Sequence, residues 1–346
     1  MSASPALDIE EPVTLLIYLR QAGHIAPSEE PTFHRLDGGV SSRTVRVTRS
    51  SGEAWVVKQS LARLRVSVEW FSDPRRIHNE AAALRWLRLL APPGTVPNLV
   101  FEDQTQHLFA MQAVPQPHTN WKTLLLGGGL AEKHVLAFGR LLATIHRRSA
   151  ERLAEIAPDF KDNSFFESLR VEPYYRYTAS QVPAAASFLN ALIGETLAQR
   201  LSLVHGDYSP KNVLVFEDRL ILLDHEVAHV GDPAFDLGFS LTHLLSKAHH
   251  LPSQRASFGY AARAYWSAYA QELGGVPWRA ELEARAVRHA LGCLLARVAG
   301  RSPLEYLDAG ERDRQKAAVL ALMPDLPLTV AGLTQRFLEQ LAERAA

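Results

Sequence analysis

Between Pro12 and Gln21 apolar side chains stand at Leu15, Leu16, Tyr18 and Leu19, a spacing that predicts a short amphipathic helix. From Phe33 to Gln59 the pattern changes to short apolar runs cut by glycine turns. Phe33–Leu36, Thr44–Thr48 and Trp55–Lys58 read as strands, separated by Asp37-Gly38-Gly39 and Ser51-Gly52. Helical spacing returns over Arg75–Leu90, where Ile77, Leu84, Leu87 and Leu90 share one side, and Asn98–Glu102 and His107–Ala113 read as two more strands. This is the pattern of an antiparallel sheet with one helix. Val114-Pro115-Gln116-Pro117 then breaks it, because proline removes a backbone donor and fixes its own φ. The boundary between a first lobe, 1–114, and a second, 115–346, is placed there.

Beyond the break the spacing is mostly helical, over Leu130–Arg148, Ala184–Gln199 and Asp232–Lys247. Only Val213–Phe216 and Leu220–Leu223 read as strands, a hairpin turning at Glu217-Asp218. Ser302-Pro303-Leu304-Glu305 has the form of a capping box with proline at the first helical position. The expected fold is α+β and two-lobed: a small antiparallel-sheet lobe and a large, mostly helical one.

Composition narrows the function classes. A chain of 346 residues is long enough for two lobes. Lys plus Arg and Asp plus Glu balance at 37 each, so nothing draws the whole chain to nucleic acid or an anionic membrane. A lone cysteine, Cys293, excludes an internal disulfide and a cysteine metal cluster. Met1–Ile9 lacks the layout of a signal peptide, and no apolar stretch reaches the roughly 18 residues of a membrane helix. A cytoplasmic protein is expected.

The strongest chemical signal is His205-Gly206-Asp207-Tyr208-Ser209-Pro210-Lys211-Asn212, which matches the His-x-Asp…Asn spacing of a kinase catalytic loop. Asp224 follows in Leu222-Leu223-Asp224-His225-Glu226, at the end of the hairpin's second strand. Phosphoryl transfer needs a carboxylate to hold the acceptor hydroxyl and oxygen ligands for the metal that neutralises the phosphates. Asp207 suits the first task; Asn212 and Asp224 suit the second. Loop Asp and Asn residues ordinarily serve as turn formers or caps, but not as a set at this spacing. His205 is read as a structural member of the loop.

In the first lobe, Lys58 ends an apolar strand, where a kinase lysine reaches the α- and β-phosphates, and Glu80 on the following helix is its natural partner. Taken singly, each would be a plain surface residue. Gly38, Gly39 and Ser41 lie where a phosphate-covering loop belongs, although the stretch also reads as a simple hairpin turn. Gln112 and Val114 fall at the linker, where backbone groups can meet the adenine edge. In Gly231-Asp232-Pro233-Ala234-Phe235-Asp236, Asp232 reads as a helix cap and Asp236 as a support beneath the catalytic loop.

These residues resemble the aminoglycoside phosphotransferase and choline kinase superfamily. The loop His205–Asn212, the later Asp224 and the segment Gly231–Leu237 carry the resemblance, which runs from about Leu36 to Leu245. It implies a protein-kinase-like fold, ATP and Mg²⁺ as cofactors and a small-molecule hydroxyl as acceptor. Within the superfamily, Val56-Val57-Lys58-Gln59, Leu64-Arg65-Val66 with Trp70, and Asp162–Tyr177 are similar to methylthioribose kinases, as is Asp224-His225-Glu226, with Glu226 a second acidic contributor. Asn212 departs from that subgroup's loop. The subgroup resemblance also implies a homodimer.

Departures from protein kinases matter too. Asp224-His225-Glu226 stands in place of Asp-Phe-Gly, and Asp232 follows only eight positions after Asp224, leaving little room for an activation loop. Ser209 stands where protein kinases carry a lysine, and Lys211 is expected to supply part of that charge. Three readings follow: a kinase for a small hydroxylated metabolite, a sugar or thiosugar; an aminoglycoside phosphotransferase; or a nucleotide-binding pseudokinase serving as an interaction module. Arg65, Trp70, Tyr174, Tyr175, Arg176 and Arg297 are candidate acceptor-pocket residues, a wall that suits a neutral or anionic sugar better than a polyamine.

Overall fold

A computed structural model of the chain describes residues 7–36, 41–65 and 71–344. Gly38, Gly39, Val66 and Trp70 lie outside them. The first helix, α1, spans Pro12–Gln21. Strands β1 (Thr32–Arg35), β2 (Ser42–Thr48), β3 (Ala54–Ser60), β4 (Leu99–Asp103) and β5 (Leu108–Gln112) form one antiparallel sheet in the order β1-β2-β3-β5-β4. Helix α2, Arg76–Leu90, enters between β3 and β4.

The sheet is buried on both faces, which explains why β5 reads Leu108-Phe109-Ala110-Met111 without polar alternation. Side chains alternate across a strand. Val57, Leu108 and Ala110 therefore pack with Leu15 and Leu19 of α1, whereas Phe109 and Met111 pack on Ile77, Ala81 and Leu84 of α2. The same period of two puts Lys58, next to Val57, on the α2 side of the sheet. There it sits opposite Phe109 in the β3–β5 ladder.

The remainder is helical around one large apolar core. Helix Pro233–His250 is buried from Pro233 through His249, so it lies at the centre of this region. Gly238 lets it approach helix Leu282–Ala299: a Cβ there would lie 2.4 Å from His289 Cβ and 2.6 Å from Ala290 N. The hairpin Val213–Phe216/Arg219–Leu222 turns at Glu217 and Asp218, both at positive φ (46° and 61°), the conformation that matches strand twist in a two-residue turn.

Three details differ from the pattern reading. Thr119–Asn120 adds a third strand to the hairpin, and Ser202–Val204 pairs with His229–Gly231. These runs are too short to show periodicity. Glu167–Arg176 winds as a π-helix with Pro173 inside it. No helix starts at Ser302-Pro303. The Ser302 hydroxyl accepts from Arg297 at 2.8 Å, and the Leu304 N–H donates to Arg297 O at 2.9 Å, which holds this stretch as a loop with Leu304 buried. The capping box forms instead at Asp308 and Glu311, whose side chains bond each other's backbone N–H at 2.7 and 2.8 Å. Asp308→Ala is expected to destabilise the chain by about 1 kcal/mol in denaturant unfolding, with little change at the cleft.

Candidate active site

Five buried or half-buried segments converge on one cavity of about 910 Å³ between the sheet and the helical region. Lys58 comes from β3, the loop 207–212 from below, Asp224 from the end of the hairpin, Leu169, Arg170 and Tyr174 from the π-helix, and Arg297 from helix Leu282–Ala299.

Lys58 Nζ donates to both Glu80 oxygens (2.8 and 2.7 Å) and to Asp224 Oδ1 (2.8 Å). One ammonium thus faces two carboxylates. Burial works against its charge, but Asp224 and Glu80 outweigh it and hold Lys58 above the usual lysine value. Glu80 is fully buried, and its desolvation raises its pKa despite Lys58. Asp224 is held below the usual aspartate range: burial opposes this, while Lys58 and Lys211 favour its anion. With both carboxylates ionised, the cluster carries one more negative charge than positive. Its chemistry suits the approach of another cation beside Asp224.

One turn before Glu80, Arg76 makes a second link across the cleft. It is completely buried, donates from Nε to Glu226 Oε2 (3.1 Å), and also reaches Leu61 O and Ser41 O. Asn79 donates to the backbone oxygens of Glu226 (3.0 Å) and Ala228 (2.7 Å). Helix α2 is thus fastened to the Asp224–Ala228 segment through Arg76, Asn79 and the Lys58–Glu80 pair. Neither Arg76 nor Asn79 has a motif of its own. The cue was the spacing of Arg76, i, i+4 to Glu80 and i, i+3 to Asn79 on helix α2.

The loop below is held from its backbone. Asp236 accepts the N–H of His205 on Oδ2 (2.7 Å) and that of Gly206 on Oδ1 (2.8 Å), with His146 Nε2 at 3.3 Å. Burial pushes the Asp236 pKa up, yet these donors bring it below the ordinary value. The His205 ring accepts from Asp207 N–H at Nδ1 (3.1 Å), so its Nε2 carries the proton and donates to Leu223 O (3.1 Å). Burial holds this imidazole neutral by lowering its pKa. Gly206 adopts φ +76°, and a Cβ would meet Val227 at 2.9 Å, so glycine is required at this position. Asp232 caps its helix by accepting from Ala234 N–H.

Asn212 Nδ2 donates to Asp207 Oδ2 (2.7 Å) and Asp207 O (3.0 Å), which turns its Oδ1 elsewhere. Arg170 Nη2 also reaches Asp207 Oδ2, at 3.0 Å, and Arg170 Nε donates to Gly206 O. Both charged and amide partners of Asp207 therefore fall on one oxygen. The cation beside Asp207 comes from Arg170, 37 residues upstream, rather than from Lys211, which lines the cavity. Nothing local to the loop announces it.

Ser41, Gln112 and Val114 line the cavity, although the Gln112 N–H is already donated to Asn98 O (2.9 Å). Tyr174 and Arg297 also line it. Tyr175 does not; it is buried, with its hydroxyl at His289 and Cys293. Arg65 pairs with Glu10 and Arg176 with Glu167, both outside the lining.

A family model described as APH, phosphotransferase enzyme family, matches residues 32–271, a span that includes every cleft residue above except Arg297. The chain belongs to this phosphotransferase family. A methylthioribose kinase from Oryza sativa subsp. japonica is 26% identical over 228 residues, 58% of this chain and 53% of the relative. The chain spans about half the length of the curated relative it matches. Among solved structures, an amicoumacin kinase complex with AMP-PNP and Ca²⁺ superposes with a TM-score of 0.58 at 15% identity, covering 94% of this chain and 99% of that one. A choline/ethanolamine kinase family protein from Mesorhizobium loti gives 0.55 at 15% identity, with 97% and 99% covered. These likenesses establish the two-lobed, protein-kinase-like fold of this phosphotransferase. No described helix is long and apolar enough to cross a membrane.

Proposed function

We propose that this phosphotransferase moves the γ-phosphoryl group of ATP, with Mg²⁺, to a hydroxyl of a small neutral or anionic metabolite, a sugar or thiosugar. The observation that carries this reading is the single cavity in which Lys58, bound to Glu80 and Asp224, faces the Asp207–Asn212 pair. Nucleotide phosphates belong beside Lys58, under Ser41 and, from the sequence, Gly38 and Gly39. The linker at Gln112 and Val114 is assigned to the adenine edge, with Val114 left as the N–H donor.

Asp224 and the outward Oδ1 of Asn212 are hard oxygen donors, the set that suits Mg²⁺, a cation that keeps several waters and shares phosphate oxygens. Their fit is supported by the uncompensated negative charge around Lys58. When bound, the ion would neutralise charge on the phosphates. Asp207 presents Oδ1 to the acceptor hydroxyl, since its Oδ2 is taken by Arg170 and Asn212. The acceptor oxygen attacks the γ-phosphorus, the bond to the ADP oxygen breaks, and the hydroxyl proton passes to Asp207. Alignment matters more than base strength, because the proton leaves late in a loose transition state. His205, Glu226 and Asp236 serve as positioning residues through the backbone and α2 contacts above.

The acceptor half of the cavity supports a neutral or anionic molecule over a polycation. Arg170, Lys211, Arg297 and Arg301 line the cavity alongside Asp207 and Glu305. Mg²⁺-dependent ADP release is expected with a pentose or thiopentose, and not with aminoglycosides, in a panel that also holds hexoses and amino alcohols. Preference for the polycations would overturn the acceptor class. ATP binding without turnover on any acceptor would favour a pseudokinase.

A further inference from the structure

The wall of the cavity formed by helices Pro233–His250 and Leu282–Ala299 holds basic side chains that, among the described residues, no carboxylate contacts. Arg297 has no acidic partner within 4 Å among the described residues. Its Nη1 donates to Tyr174 OH (3.0 Å) and to the Ser302 hydroxyl (2.8 Å) and carbonyl, while its buried Nε has no partner. These bonds fix the guanidinium from one corner only. His243 lines the same cavity, is 6% exposed, and its Nε2 also lacks any hydrogen-bond partner. One turn further along that helix, Lys247 is wholly buried. Its Nζ donates only to His243 O (3.2 Å) and lies 5.3 Å from the Tyr306 ring centre.

Burial and mutual repulsion both disfavour charge on this wall. Burial lowers the His243 pKa, and Lys247, Arg297, Lys122 and Lys211 lower it further. Burial also pushes Lys247 down to about 7, with Lys122 and Arg297 adding to the effect; the opposing charge is Glu305, which Lys122 already holds. A wall of basic groups with unpartnered donors is costly unless something answers it, and an incoming anion would restore the charged forms that burial and repulsion disfavour. This wall also sits close to the chemistry. Arg170, which touches Asp207, and Arg297 both lie against the Tyr174 ring, at 5.8 and 5.7 Å from its centre.

We propose that this wall seats an anionic group of the acceptor, a carboxylate or a phosphate ester, between Arg297 and His243, so that a polyhydroxylated acid or a sugar phosphate is preferred over the neutral sugar. This deepens the kinase reading and rests on its assignment of Asp207 to the reacting hydroxyl. Arg297 is the specificity-determining residue: a planar guanidinium with open donors matches a carboxylate or phosphate edge. His243 adds a second donor when its ring is protonated or suitably tautomerised by the incoming anion. Lys247 supplies charge from behind without touching the ligand.

The test is calorimetric binding of ribonate, ribose 5-phosphate and ribose to the full chain, saturated with Mg²⁺ and a non-hydrolysable ATP analogue so that the nucleotide phosphate seat is filled. At least one anion should bind about tenfold or more tightly than ribose. The tighter anion identifies the group. Arg297→Met should remove that preference while leaving nucleotide affinity unchanged. If that variant also weakens nucleotide binding, His243→Asn is read instead, and loss of the preference is again expected. Equal binding of all three ligands, or a preference that survives the substitution, overturns the proposal. Binding needs no turnover, so this failure is separable from a failure to release ADP.

Discussion

Asp207→Asn should lower kcat by about 10³-fold while leaving the KM for ATP near its original value. The reason lies in which oxygen is already occupied. Arg170 Nη2 and Asn212 Nδ2 both donate to Asp207 Oδ2. An amide at this position must turn its own oxygen towards those two donors, and its NH₂ then occupies the place of Oδ1. The group facing the acceptor hydroxyl changes from acceptor to donor, so it can neither orient the attacking lone pair nor take the proton. Steady-state kinetics with ATP and the best acceptor, with nucleotide binding measured separately, would decide the matter. Retention of a tenth of the original kcat would remove Asp207 from its assigned role.

Lys58→Met should have the largest combined effect on activity and stability. Without the ammonium, the nucleotide phosphates lose a direct partner, and kcat/KM for ATP is expected to fall by about 10² or more. The two carboxylates it joins, Glu80 and Asp224, lose their cation in a buried setting, at a cost of about 3 kcal/mol at neutral pH. That loss should depend on pH with a definite sign. Burial raises the folded-state pKa of Glu80 above its ordinary value of 4.5 even with Lys58 present, and removing Lys58 raises it further. Between those values the folded variant binds more protons than the unfolded chain, so stability falls as pH rises. The melting temperature of Lys58→Met should therefore recover as pH drops from 7 towards 5, relative to the unsubstituted chain. A pH-independent difference would mean that Glu80 does not carry the unpaired charge. Glu80→Gln, which leaves the Lys58–Asp224 contact, should cost less at pH 7.

Much of this cleft was legible from residue order because its central parts are short-range. The catalytic loop keeps Asp207 and Asn212 within one turn of chain, and the hairpin returns Asp224 to them by a two-residue reversal. Period-two alternation around Val57 put Lys58 on the α2 side, and helical spacing put Glu80 on the face that meets it. Asp236 was legible as a loop support from its place after the Asp232-Pro233 cap. In each case a local backbone rule sets the direction of the side chain, so residue type and spacing carry the information.

Other parts depended on the chain's return from far away. Arg170 supplies the cation at Asp207 only because Glu167–Arg176 winds as a π-helix beneath the loop, and neither charge nor periodicity in that stretch records the contact. Arg76 pairs with Glu226 across 150 residues. The Ser302-Pro303 signal was locally sound, but Arg297 claimed the serine hydroxyl and the loop's backbone, and a half-buried guanidinium's need for acceptors overrode the cap. The two-lobed α+β architecture and the candidate catalytic residues were thus legible in the sequence through local spacing, and the family through its resemblance. The neighbours of Asp207, the clamp of α2 on Glu226 and the basic wall at His243 and Arg297 were decided by tertiary packing, because buried polar and charged groups take whatever partners the fold brings within reach.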